Sequence, residues 1–161
     1  MARKPNGFTL VELIVVILLL GIISVYAASR FSRPASFSTI TTQSELLASL
    51  RLVQNRAMQR SGYCNRWLLS ATEAKQVSPL QLTGACDNSQ FDANDASVVN
   101  AADSDVSLSL SNDAGNNYLD FDALGLAAQC QSAICTVTLS NTQNGETRQI
   151  CINTQGYIYG C

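Results

Sequence analysis

The sequence predicts an α+β fold in which a long N-terminal helix, half membrane-type and half amphipathic, packs on a mostly antiparallel β-sheet head. Three observations lead there. Residues 8–28 are almost wholly apolar and carry a single ionisable residue, Glu12. Apolar residues then recur at helical spacing between about residues 41 and 60. Beyond Gly62 the pattern changes to short alternating runs broken by turn residues, and all six cysteines lie there.

The first element is a stretch of roughly 21 residues, a helix about 30 Å long, one hydrocarbon thickness. It follows a short leader, residues 1–7, that holds Arg3 and Lys4 and is too short to fold. Two readings compete. In one, the stretch is an ordinary secretory signal peptide, with Val25-Tyr26-Ala27 as a small-residue cleavage site. In the other it is a retained membrane helix. Glu12 fits the first reading poorly, because a charge in hydrocarbon costs roughly 2.5–3.5 kcal/mol at the centre and needs a partner. A carboxylate snorkelling to the interface is the bland alternative. Arg3 and Lys4 on one side nearly balance Arg30 and Arg33 on the other, so the positive-inside count is close to a tie. The cysteines break it. Six of them, Cys64, Cys86, Cys130, Cys135, Cys151 and Cys161, imply disulfides and an oxidising compartment for everything after the helix.

Pro34 is expected to break or kink the helix. Leu46, Leu47, Leu50, Val53 and Ala57 then form an apolar stripe, with Arg51, Asn55 and Gln59 opposite. Residues 29–62 thus read as an amphipathic segment ended by Ser61-Gly62. In the head, residues 63–161, strands are expected at 63–70, 76–83, 106–110, 118–121, 134–139, 147–152 and 157–159. Residues 91–105 read as a long polar loop. Asn144-Gly145 is the strongest hairpin signal. If 64–70 and 80–86 form a hairpin, Cys64 faces Cys86, and Cys130–Cys135 and Cys151–Cys161 become local loops. A second arrangement sets Cys135 across from Cys151 on the hairpin centred on Gln143.

Several chemistries find no support. There is no histidine, so a Ser-His-Asp arrangement is absent. There is no glycine-rich phosphate loop and no CxxC pair. Asp92, Asp95, Asp103 and Asp105 hint at calcium, but the spacing lacks the glycine a calcium loop requires. No metal, cofactor or catalytic residue is expected, and the chain does not read as an enzyme. From Cys64 onward, Arg66, Lys75 and Arg148 face ten carboxylates, the chain's twelve less Glu12 and Glu45. Nucleic-acid binding, which depends on cations neutralising phosphates, is not expected.

Gly7-Phe8-Thr9-Leu10-Val11-Glu12-Leu13 after a short basic leader resembles the type IV pilin signature. The resemblance implies that a prepilin peptidase at the cytoplasmic membrane face cuts after Gly7 and N-methylates Phe8. It also implies that Thr9 and Glu12 serve assembly and register. Cutting leaves a cationic amine on Phe8, and Glu12 of the same or a neighbouring subunit can supply its counter-charge; such a pair fixes register more than it adds stability. Gly21 suits a helix that loosens on assembly. Many major pilins have a proline near Ser29, whereas this chain has Pro34.

A second resemblance lies in the head. The segments 50–58, 120–125 and 148–156 are similar to elements of H-type minor pseudopilins and FimT-like minor pilins. Among these the cysteine-bearing head looks most like a minor pilin of the MSHA (mannose-sensitive haemagglutinin) pilus. The role implied is a minor pilin near a pilus tip, serving assembly or adhesion. Its partners would be other pilins, the prepilin peptidase, the inner membrane before assembly and a surface ligand of the head. The alternatives are an H-type pseudopilin of type II secretion, a minor pilin for DNA uptake, and a secreted disulfide-rich binding domain.

Overall fold

The computed structural model describes residues 9–31, 35–77, 82 and 86–161, with side chains of the helical residues 25–31, 35 and 36 left aside. The chain divides into two compact units, 1–34 and 35–161. Helix α1, Leu10–Phe31, belongs to the first. Among the described residues no helix is long and apolar enough to cross a membrane. The span expected at 8–28 begins and ends beyond the described side chains of α1. Pro34 also lies outside the described residues; α1 ends at Phe31 and helix α2, Ala35–Gln59, begins after it.

In the second unit, α2 buries the expected stripe. Leu46, Leu50, Val53 and Ala57 have no exposed surface, while Leu47 is half-buried. The helix starts earlier than the apolar spacing suggests, because Thr39, Thr42 and Ser49 are also buried and extend the stripe at intervals of three and four. Thr41 and Ser44 turn their hydroxyls back on the carbonyls of Phe37 and Thr41, at 3.0 and 2.7 Å. Gly62 at φ +84° ends the segment in the left-handed region, where a side chain would strain the backbone.

Two antiparallel sheets follow. The first has the order β3-β2-β1-β5, with β1 at Arg66–Leu69, β2 at Glu73–Val77, β3 at Val99–Asn100 and β5 at Tyr118–Asp120. The second has the order β4-β6-β7-β8, with β4 at Val106–Ser111, β6 at Cys135–Asn141, β7 at Thr147–Ile152 and β8 at Ile158–Gly160. One cluster fills the space between them and α2, including Trp67, Leu50, Leu119, Leu139, Ile150 and Ile152. The main chain also bridges the sheets, where Leu108 N–H donates to Ala71 O at 2.8 Å.

Two strand expectations need correction. The second strand starts at Glu73, before the expected 76, since Ser70 Oγ accepts from Glu73 N at 3.0 Å and closes a tight turn that sets Leu69 against Ala74; it is described to Val77, and of the rest of 76–83 all but Leu82 lies outside the described residues. The polar look of residues 73–77 hides the strand because its inward positions are Ala74 and Gln76. The polar loop 91–105 also contains β3, anchored by buried Val99 against Ala74.

Candidate functional site

The first turn of α1 brings together two of the sequence-marked residues. Thr9 precedes the helix, and its Oγ1 accepts from the backbone N–H of Glu12 at 3.3 Å. Leu13 N–H donates to Thr9 O at 3.2 Å, which starts the helical ladder. Thr9 is therefore the N-cap and Glu12 the third helical residue, the pattern of a capping box. A carboxylate there also meets the positive end of the helix dipole. Thr9-Leu10-Val11-Glu12 spells this cap in the sequence, a signal from which Thr9's local role could have been found. Gly7 and Phe8 lie outside the described residues.

Over its described side chains, α1 buries no face. From Leu10 to Ile23 its large apolar side chains are 44% to 73% exposed on every side. An amphipathic helix hides one stripe; a helix apolar all round needs lipid or other helices around it. Glu12 is the one ionisable side chain on this surface.

The head is tied together by covalent and polar locks. Cys64–Cys86, Cys130–Cys135 and Cys151–Cys161 are bonded, closing segments of 22, 5 and 10 residues. Of the expected 64–70/80–86 hairpin, residues 80, 81 and 83–85 lie outside the described residues; Arg66–Leu69 pair with β2 and β5, and Tyr63 bridges Leu82. The alternative pair is off register by one. Cys135 opposes Ile152 and Thr136 opposes Cys151, so the two sulfurs lie on opposite faces of the hairpin.

Helix α2 reaches three loops through side chains. Gln54 Nε2 donates to Gly125 O at 2.7 Å and to Gly156 O at 2.6 Å, clamping two turns that are far apart in sequence. Both glycines have positive φ, and a Cβ on Gly156 would stand 2.5 Å from Gly125 O. Trp67 Nε1 donates to Ser49 Oγ at 2.9 Å, and Ser49 Oγ donates to Ser97 O at 2.6 Å, a buried chain across the core. Arg56 grips Asp95 at 2.8 Å and Gln76 Oε1 at 2.6 Å. Burial alone would push the Asp95 carboxyl up. The hydrogen bonds from Arg56 and Ser97, with the Arg56 charge, outweigh it and hold Asp95 below the usual carboxylate range.

The three head cations are each occupied. Arg66 pairs with Asp120 at 2.7 Å and lies 3.7 Å from the Tyr118 ring centroid; Lys75 pairs with Glu73 at 2.8 Å, and Arg148 with Glu146 at 3.2 Å. The Asp120 hydrogen bond raises the Arg66 pKa further against the cost of burial. Among the described residues, no group of acidic, cysteine or histidine side chains is arranged to hold a metal ion. Asp92 and Asp95 instead accept from Asn94 N and Ser97 N within their own loop.

A capped, largely apolar helix with one acid, preceding a second helix laid across disulfide-locked antiparallel sheets, defines a pilin-like subunit. Residues 2–28 match the prokaryotic N-terminal methylation motif. Residues 42–156 match the type II transport protein GspH family; this covers more than half of the chain, and the chain belongs to that family. The class is that of minor pilins and pseudopilins, structural subunits that are processed by a prepilin peptidase and assemble with other pilins. No curated protein and no solved structure matches the chain.

Proposed function

We propose that this chain is a minor pilin, a non-enzymatic subunit placed at or near the tip of a type IV pilus, where it helps to initiate assembly or to adhere. Residues 1–7 are the leader removed after Gly7, and Phe8 becomes the N-methylated terminus. Residues 8–28 hold the chain in the bacterial inner membrane as a single span, with 29–62 and the head 63–161 in the periplasm. After assembly the same span lies in the core of the fibre and the head reaches the cell surface. Within this class the cysteine-bearing head is read as that of a minor pilin of the MSHA pilus.

The observation that carries the proposal is the contrast on the two helices. The stripe of α2 is fully covered by the head, whereas α1 shows apolar side chains on every side together with the Glu12 carboxylate. Such a surface suits lipid first and neighbouring helices afterwards, with the Phe8 amine of one subunit beside Glu12 of the same or the next.

A second reading, an H-type pseudopilin of type II secretion, is favoured by the family to which residues 42–156 belong. Deleting the gene separates the two. Loss of surface pili or adhesion with normal secretion supports the pilus. Loss of secretion with normal pili supports the pseudopilin. Loss of neither overturns both.

A further inference from the structure

The head has two ends of different chemistry. From Ser38 to Gln54 along α2, the helical rise sets them about 24 Å apart. At the first end, Ser38 Oγ donates to Ser104 O at 3.1 Å, and Asn141 Nδ2 donates to Ser38 Oγ at 3.3 Å. Thr142 N–H donates to Asp105 O at 2.8 Å. These bonds gather exposed Asp103 and Asp105 at the start of the helix, with exposed Glu45 further along it.

The second end is apolar with one arginine at its edge. Gln54 holds the turns of Gly125 and Gly156 against each other, and the residues beside them point outward. Leu124 is 78% exposed, Tyr157 63% and Met58 47%. A Cβ on Gly125 would lie 3.1 Å from Met58 Sδ, so the helix and the turn share this surface. Tyr157 stacks on Tyr159 with ring centroids 5.3 Å apart, which stiffens it. Arg51 lies on the same helix face as Gln54 and Met58, and its guanidinium donates to Ile158 O at 3.1 Å from an exposed position. Asp122 is close by, but its carboxylate accepts from Leu124 N and Leu126 N within its own turn. Single exposed apolar residues are ordinary; three from separate chain segments, fixed together by one clamp, are not.

We infer that this end of the head is a docking surface for the acidic, helix-start end of a neighbouring pilin-like head in the same fibre. The partner's chemistry follows from complementarity: an apolar centre for Leu124, Tyr157 and Met58, and carboxylates for Arg51. This chain presents such an acidic end itself, and one end joined to the other is a head-to-tail contact that continues without closing, as a filament requires. The inference rests on the proposed assembly into a fibre.

Photo-crosslinking of the full-length protein in its own cells tests it. A benzophenone amino acid replaces Leu124, Tyr157, Ser109 as an exposed control on β4, or Ile17 on α1. The expected result is capture of a pilin-like subunit from positions 124 and 157, with the crosslinked peptide mapping to its acidic helix-start end, and at least tenfold less from 109. Arg51→Glu should lower that capture about tenfold and Arg51→Lys should retain it, at unchanged protein level and disulfide content. Capture from Ile17 but not from 124 and 157, or capture of some other class of protein there, overturns the docking surface and leaves assembly intact. No pilin-like capture from Ile17 overturns the assembly reading and the docking surface with it.

Discussion

The two helices of this chain are built on opposite solutions to the same problem. Helix α2 is a mixed-composition helix whose Leu46, Leu50, Val53 and Ala57 are sealed under two sheets. Helix α1 is far more apolar, yet Leu10, Ile22 and Ile23 are each at least 60% exposed. The head covers its own helix, whereas the described apolar side chains of α1 remain exposed. Apolar content alone therefore does not tell a core helix from an assembly helix. The difference lies in whether a polar face exists to meet water.

This division predicts that substitutions in the two regions fail in different assays. The largest effect on stability is expected from the core beneath α2. Leu50→Ala should destabilise the head by about 2–5 kcal/mol, since it opens a cavity beside Trp67 and its neighbours. Denaturant unfolding of the full chain in detergent, followed by tryptophan fluorescence, reads this directly. An unchanged midpoint would show that α2 does not carry the core. Gly156→Ala should cost about 1–3 kcal/mol from the positive-φ backbone alone, and more from the 2.5 Å approach to Gly125 O. Gly145→Ala gives the comparison, because a Cβ there meets nothing within 4 Å.

Removing the disulfides singly should rank them by the length of chain they close. On chain entropy the 22-residue Cys64–Cys86 segment contributes about 3 kcal/mol and the 5-residue Cys130–Cys135 loop about 2 kcal/mol. Paired Cys→Ser variants melted side by side check the order. Glu12→Ala should behave the other way. Unfolding of the head stays within about 0.5 kcal/mol of the parent, leader removal continues, and recovery in the sheared-fibre fraction falls about tenfold. Normal incorporation of Glu12→Ala would remove the register role of this residue.

The smallest effect is a pH dependence. Asp95 has a folded pKa below its unfolded value, so its contribution is fully present above the unfolded pKa of about 3.9 and is lost as pH falls through the folded value. The melting temperature of the parent should therefore fall below pH 4 more steeply than that of Asp95→Asn. Equal slopes would mean that the Arg56 grip does not couple to folding.

The same contrast explains what could be read from the sequence. α1 announces itself through composition, one acid and a Thr-x-x-Glu start, all of which are local signals. The apolar stripe of α2 is also local, but its first turns were hidden because Thr39 and Thr42 fill buried positions with hydroxyl-bearing side chains. Strand β2 escaped for a related reason, since the oxygen of its buried Gln76 finds its partner in Arg56, 20 residues away. The Gln54 clamp could not be read at all. Its acceptors lie 71 and 102 residues along the chain, and no periodicity encodes a contact of that range. The antiparallel strands expected in the head form two sheets, linked where Leu108 N–H of β4 donates to Ala71 O. The cysteine pairs are formed, and Cys64 and Cys86 reach each other beside the Tyr63–Leu82 bridge.

All of this depends on α1 surviving export as the first element of the mature protein. Intact-mass and N-terminal peptide analysis of the chain purified from its own cells measures that directly. The account predicts a mature protein that begins at Phe8, carries one added methyl group on its amine, and retains three disulfides. A mature protein beginning at Ala28 would contradict it: α1 would then be a discarded signal peptide, and the head a secreted domain with no fibre to join.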